Sequence, residues 1–122
     1  MLKKTITYTD YNGMERTEDF YFNLSKAEVT QMELSVDGGL SQMIENIVDS
    51  KDNKEIMKIF KDIILKSYGE KSTDGKRFVK SDAISEAFEQ TEAFSELFME
   101  IALNEQAAAD FVNGILPNSI EK

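Results

Sequence analysis

The sequence predicts a mostly α-helical α+β fold, in which an N-terminal β-hairpin packs on a compact bundle of about five to six helices. Three observations support this fold class. Asn12-Gly13, a strong hairpin turn signal, separates two segments rich in strand-forming residues. Apolar residues then recur at helical spacing through the rest of the chain. Residues suited to capping helices, such as Ser25 and Asn104, stand at the boundaries of those segments.

The turn predicts how the two strands pair. A two-residue loop would put the apolar residues of the two strands on opposite faces, because side chains alternate along a strand. A three-residue loop, Tyr11 to Gly13 with the glycine left-handed, puts them on one face. Since a shift of one residue turns a whole apolar set away from the core, we predict the three-residue loop. The shared face then carries Ile6, Tyr8, Phe20 and Phe22.

The second strand runs directly into a helix. Ser25 and Glu28 have the spacing of a capping box, in which each side chain bonds the backbone N–H of the other residue. Leu24 and Val29 flank the box as a hydrophobic staple. We therefore expect a rigid corner that holds the hairpin against the helices, with a groove between them. The glycines of the segment 37–39 are suited to ending this first helix.

Two further helices are predicted in the middle of the chain. The second carries an apolar face of Leu40, Met43, Ile44, Ile47 and Val48. The third begins after Asp52 as its N-cap, ends at Tyr68-Gly69, and carries Ile56, Ile59, Phe60, Ile63 and Ile64.

Three short helices are predicted at the C-terminal end. Ser81 caps the first, which carries Ala83, Ile84, Ala87 and Phe88. The next begins near Thr91, with Phe94, Leu97, Phe98 and Ile101 facing inward. Asn104 caps the last, which ends before Pro117 and carries Ala108, Phe111, Val112, Ile115 and Leu116. In all, we expect one domain over 1–122: a hairpin at 1–22, helices at 25–68, a loop or short hairpin at 69–80, and C-terminal helices at 81–117.

The negative charge is concentrated at the C-terminal end. The net charge is −9, and residues 81–122 carry nine acidic side chains and one basic side chain. Direct binding of nucleic acid through its phosphates is therefore not expected. The acidic surface could keep the chain hydrated, meet a basic partner, or imitate DNA. No apolar run approaches the roughly 20 residues of a membrane span, so we expect no membrane partner.

The residue types that support catalysis are scarce. The chain has no His and no Cys, which excludes thiolate metal sites and disulfides. The segment Gly69 to Arg77 fails as a phosphate-binding loop, because it has one residue too many between its glycines and Arg77 where a hydroxyl is required. The carboxylates fall on polar helix faces. We therefore expect no enzyme activity, no cofactor and no metal.

The methionines leave two alternatives open. Four of them fall within predicted helices, where a flexible thioether suits either an irregular core or an adaptable binding surface: Met32, Met43, Met57 and Met99.

Three segments of the chain resemble a known family. They are YFNLSKAEVTQMELSVDGGL, FKDIILKSYGEKSTDGKRF and FEQTEAFSELFMEIALNEQAAADFVNGILP. In their order and spacing they resemble the tail assembly chaperones of long-tailed bacteriophages, in particular those of phages and prophages of Gram-positive hosts. The resemblance covers roughly Thr5 to Pro117.

The resemblance implies a non-enzymatic helper. Such proteins act in the host cell cytoplasm, bind the tape measure protein, keep it soluble while the tail tube assembles, and are absent from the mature virion. The tail tube protein and a second copy of the chain are further candidate partners. The alternative function is that of an acidic DNA mimic or inhibitor that binds a nucleic-acid-binding protein.

The last helix supplies the candidate binding surface. Its small alanines would let another helix approach closely, which makes its apolar stripe a candidate site for the partner. The other alternative is that the stripe seals the core. The residues concerned are Phe111, Val112, Ile115 and Leu116.

Overall fold

A computed structural model describes residues 1–35 and 53–117 and confirms the mostly helical α+β fold. The strands are β1 Leu2–Thr9, β2 Glu15–Phe22, β3 Tyr68–Lys71 and β4 Phe78–Val79. The helices are α1 Lys26–Ser35, α2 Asn53–Ser67, α3 Asp82–Glu89, α4 Glu92–Leu103 and α5 Glu105–Ile115. The predicted helix stop at 37–39, the predicted second helix around 40–48 and the Asp52 cap lie outside the described residues.

The N-terminal hairpin has the predicted register. The amide of Asp10 donates to the carbonyl of Met14 at 2.9 Å, which closes a three-residue loop. Gly13, the last residue of that loop, has a φ of 81°, a conformation that favours glycine. Ile6 and Phe22 are buried on the shared face. Its other two predicted members, Tyr8 and Phe20, pack against the same core while staying half-buried.

A second, shorter hairpin extends the sheet, which has the strand order β1-β2-β3-β4 over the described residues. The alternatives for residues 69–80 were a loop or a hairpin; here β3 pairs with β4. Tyr21 pairs with Gly69 and Phe22 with Tyr68, so the two hairpins form one sheet. This pairing between β2 and β3 was not predicted.

A close approach in the second hairpin depends on glycine. A Cβ on Gly69 would lie 2.8 Å from both Cε2 of Phe78 and the carbonyl oxygen of Val79. Only a residue without a side chain lets β4 come so near.

One face of the sheet is covered by helices and the other is polar. β1 packs against α4 and α5. Lys4 of β1 reaches Glu100 of α4 in an ion pair at 3.1 Å. On the other face, the hydroxyl of Thr5 donates to Asp19 at 2.6 Å, and the side chains are exposed. An antiparallel sheet with one covered face commonly shows this alternation.

The core lies between the covered face and the helices. The predicted apolar stripes of α2 and α4 supply much of it, with Phe60, Ile63, Ile64, Leu97 and Ile101 buried. Ala93 of α4 is also fully buried, although it was not in the predicted stripe.

The predicted N-caps of α3 and α5 are present, and Thr91, near which α4 was expected to begin, caps that helix. Ser81 accepts a hydrogen bond from the amide of Ile84 at 3.1 Å. Thr91 accepts from the amide of Phe94 at 3.2 Å. Asn104 accepts from two amides at the start of α5, at 2.9 and 3.1 Å. Two polar residues, Gln90 and Thr91, separate α3 from α4, and Asn104 alone separates α4 from α5.

Candidate functional site

The strand-to-helix corner after β2 is built as predicted. The amide of Ser25 donates to Glu28 Oε1 at 2.9 Å, and the amide of Glu28 donates to Ser25 Oγ at 3.2 Å. The two residues of the predicted staple, Leu24 and Val29, are both buried. Sequence and structure therefore agree on how the chain turns from the sheet into α1.

The corner also ties three distant parts of the chain together. The amide of Asn23 donates to the carbonyl of Ser67 at the end of α2, at 2.8 Å. The amide of Leu24 donates to the carbonyl of Ile115 at the end of α5, at 2.9 Å. Lys80, just before α3, donates to the carbonyl of Asn23 at 2.7 Å. The ends of three helices are thus positioned against the sheet.

Glu28 has a second partner besides its capping contacts. Its Oε2 accepts a hydrogen bond from Lys80 at 2.6 Å. Partial burial raises the pKa of Glu28, but the bonds from Lys80 and Ser25 outweigh burial, so its net pKa lies below the ordinary value. The carboxylate therefore stays charged and holds α3 to the corner.

A cluster of aromatic rings lies beside the corner, between the sheet and α3. The rings of Tyr68 and Phe88 stack with centroids 4.2 Å apart and planes inclined by 15°. Phe20 lies 5.2 Å from Phe88, and Phe22 lies 5.8 Å from it. Such pairs contribute beyond the area they bury. They form a firm floor between sheet and helix.

A shallow groove of about 310 Å³ opens above this floor. One wall is the helix α3, where Ile84 is half-buried but Ala83 and Ala87 are exposed. The stripe predicted on α3 is therefore covered only on the side of Ile84 and Phe88. The groove is lined by Phe20, Tyr68, Glu70, Ala83, Ile84, Ala87, Phe88 and Thr91.

The rim of the groove is negatively charged. Tyr68 and Glu70 are two residues apart on β3 and so point to the same face of the sheet. Burial, and then the charges of Glu70 and Glu18, raise the pKa of Tyr68. Tyr8 holds Glu18 in place by donating a hydrogen bond to it. Glu18 is also paired with Arg16 at 3.6 Å, and Glu70 has the larger effect on Tyr68.

Tyr68 itself is mostly buried, with 9% of its surface exposed. Within the part of the chain that the structure describes, its hydroxyl makes no hydrogen bond. Because none of the buried side-chain polar atoms in the described residues lacks a partner, this hydroxyl is open to solvent and can be reached by a ligand.

The residues predicted to bind a partner lie elsewhere. Phe111, Val112 and Ile115 are buried, and Leu116 is half-buried. Phe111 packs on Phe22 with ring centroids 5.3 Å apart. Their burial favours the alternative that this stripe seals the core, and a binding role for it stays a prediction.

The sequence did not indicate that the groove residues form a binding site. The corner led us to expect a groove between hairpin and helices. The floor of the groove, however, depends on the contact between Tyr68 of β3 and Phe88 of α3, which the corner does not predict. Ala83 and Ala87 repeat at helical spacing, which places them on one face but does not tell whether that face is covered.

Two methionines belong to the surface. Met57 and Met99 are 44% and 47% exposed, so neither lies in the core, and a binding role for them stays a prediction. Leu103, one turn beyond Met99 on α4, is 76% exposed. The described surface therefore shows apolar groups outside the groove as well.

The family model described as phage tail assembly chaperone matches residues 1–122. The chain belongs to this family. The resemblance found in the three sequence segments is thereby confirmed, while a Gram-positive host stays a prediction. Comparison with curated proteins and with solved structures found no match.

Over residues 1–35 and 53–117, none of the helices is long and apolar enough to cross a membrane. In the same ranges, no three or more carboxylate side chains are grouped so that they could hold a metal ion.

Proposed function

We propose that this chaperone binds the tape measure protein and keeps it soluble while the tail tube assembles. It does so in the host cytoplasm by binding alone, without catalysis, and it is not retained in the finished virion. The tape measure protein is long, helical and prone to aggregate, so its chaperone needs an apolar surface that accepts helices.

The observation that carries this proposal is the apolar groove between the sheet and α3. Amphipathic helices commonly bind by laying their apolar face into such a groove. The chain has a net charge of −9. A charged surface opposes aggregation of a complex that carries an apolar cargo.

Imitation of DNA is less well supported. A mimic needs a continuous array of unneutralised carboxylates. Here Glu100 is paired with Lys4 of β1, and Glu89 is paired with Lys61 of α2 at 2.7 Å. These two ion pairs interrupt the acidic surface.

Co-expression tests the proposal. The tape measure protein from the same phage is produced with the chaperone or with an unrelated acidic helical protein of similar size, and its soluble fraction is measured. We expect soluble tape measure protein, co-purifying with the chaperone, only in the first case. Equal solubility with both proteins would reject the proposal.

Duplex DNA separates the two functions. Under the proposal, added duplex DNA leaves the complex with tape measure protein intact. Release of the chaperone's partner by DNA would instead favour the mimic.

A further inference from the structure

We infer that the groove binds an amphipathic helix with a narrow apolar face flanked by Lys or Arg residues. This deepens the proposed function and rests on it, because it states which segments of the tape measure protein the chaperone binds.

The shape of the groove favours a helix as its occupant. Ala83 and Ala87 are one turn apart on α3, so both small side chains point to the same side. Both are exposed, and the distance between two packed helices depends on the side chains at the contact. A helix lying along α3 can therefore come close. Its apolar side chains would contact Phe20 and Ile84.

The charge around the groove selects the flanks of that helix. Residues 81–117 contain eight acidic side chains and no Lys or Arg, but those of α3, namely Asp82, Glu86 and Glu89, line a separate cleft outside the groove. On the opposite wall, Glu70 lies at the rim and Glu18 lies on the same face of the sheet. An acidic helix would meet the like charge of Glu70 at the sheet wall, whereas Lys or Arg flanks would be attracted.

Among the described residues, Arg16 offsets the charge of Glu18, with which it pairs at 3.6 Å, so Glu70 is the acidic residue that acts at the groove. Two further basic groups are engaged elsewhere. Lys80 is bonded to Glu28 at the corner. Lys71 lies over the ring of Tyr21, with its Nζ 4.2 Å from the ring centroid. Tyr21 and Phe20 are adjacent in a strand and point to opposite faces. Lys71 therefore lies on the far side of the sheet from the groove.

Tyr68 can add a polar contact to the apolar and electrostatic contacts that favour a basic amphipathic helix. Its hydroxyl has no hydrogen-bond partner among the described residues, and the ring lines both the groove and the adjoining cleft on the β3 side. A hydroxyl can donate and accept. It can therefore bond a polar side chain at the edge of the bound helix.

Two synthetic helical peptides of about 20 residues test the inference. Both carry the same narrow face of Leu and Ala; one has Lys flanks and the other Glu flanks. We expect the Lys-flanked peptide to bind the intact chaperone, with an affinity that falls as salt is added. Equal binding of the two peptides would overturn the inference.

Substitutions locate the binding site. Ala87→Arg fills the groove and adds a positive charge that repels the Lys flanks of the peptide. We expect it to weaken binding of the Lys-flanked peptide about tenfold or more. Ala83→Arg should act in the same way, and both positions are exposed, so folding should persist. Wild-type affinity in both folded variants would overturn the inference.

Charge reversal has a matched control on the same protein. Glu70→Lys at the rim should weaken binding of the Lys-flanked peptide about threefold to tenfold. Glu96→Lys makes the same change at an exposed position of α4 outside the groove lining and should leave the affinity unchanged. Equal losses in the two variants would mean that only net charge matters and would overturn the groove as the site.

The same variants separate this inference from the proposed function. If wild-type chaperone keeps tape measure protein soluble and the Ala83→Arg and Ala87→Arg variants do so equally well, the groove is not the site, although the proposed function stands. If wild-type chaperone fails to keep tape measure protein soluble, the function itself is rejected.

Discussion

Helices α3 and α5 are built alike and buried differently. Each is short, begins at a polar N-cap and carries apolar residues at helical spacing. In α5 these residues are buried in the core, whereas α3 leaves Ala83 and Ala87 exposed. Helical spacing tells which residues share a face. Whether the face is covered depends on what packs against it.

The neighbours of the two helices account for the difference. α5 packs against α4 and β1. The carbonyl of Ile115 at its end accepts a hydrogen bond from the amide of Leu24 in the corner. α3 contacts α2, α4 and β3, chiefly on the side of Phe88. One side of α3 therefore remains open to a partner.

An Asp introduced on α5 and an Asp introduced on α3 should differ most in their effect on the free energy of unfolding. Val112→Asp puts an unpaired charge into the core, at a cost of roughly 3–5 kcal/mol, and should remove much of the cooperative unfolding. Ala87→Asp puts that charge on the exposed side of α3 and should change stability by less than about 0.5 kcal/mol. Chemical denaturation measures both.

Leu116→Asp refines this contrast. Because Leu116 is half-buried, we expect an intermediate loss of stability. If Val112→Asp and Leu116→Asp both stay fully folded but no longer keep tape measure protein soluble, the stripe of α5 is an interface after all.

Two glycines provide the next contrast. Gly69→Ala brings a Cβ within 2.8 Å of the backbone carbonyl of Val79 in the second hairpin, and we expect a loss of about 1–3 kcal/mol. Gly114→Ala on α5 meets the end of the Leu2 side chain at 2.9 Å, which can move. Alanine is also about 1 kcal/mol better than glycine within a helix. The second variant should therefore be nearly neutral in thermal unfolding, and a larger loss there than at Gly69 would contradict this account.

The corner serves both regions, so its cap should matter to the whole fold. Ser25→Ala removes the hydroxyl that accepts from the amide of Glu28, and we expect a loss of about 1 kcal/mol. The midpoint of urea unfolding measures it. An unchanged midpoint would show that the burial of Leu24 and Val29 is sufficient to hold the corner.

Acid should weaken the corner through Glu28. Its pKa is lowered in the folded chain, so its contribution is present above the unfolded value of about 4.3 and is lost as pH falls through the lower, folded value. Glu28→Gln keeps an acceptor in the capping box but removes this titration. We expect stability measured from about pH 6 to pH 3 to fall less steeply in the variant than in the wild type. Parallel curves would exclude a role for the Lys80 pair.

Local signals predicted the local structure well. The register followed from Gly13 and the alternation around it, and the caps followed from Ser25, Ser81 and Asn104. The pairing of β2 with β3 could not be predicted in this way. It joins segments far apart in sequence, and β3 is only four residues long, with two charged residues and no alternating pattern of its own.

The candidate site was predictable only in outline. The corner indicated a groove between hairpin and helices, and that groove exists beside α3. Its residues depend on Tyr68 stacking on Phe88, a contact between separate elements. The stripe of α5 looked equally suited to binding, because burial by β1 and α4 leaves no mark in its own sequence.

The one-residue junction at Asn104 restricts how the length of this chain can vary among relatives. Asn104 ends α4 and caps α5, so no loop is available there to absorb an inserted residue. One extra residue would turn α5 by about 100° about its axis and carry Phe111 away from Phe22. Length changes should instead be tolerated at the tips of the two hairpins, where Asn12 and Asp74 face solvent.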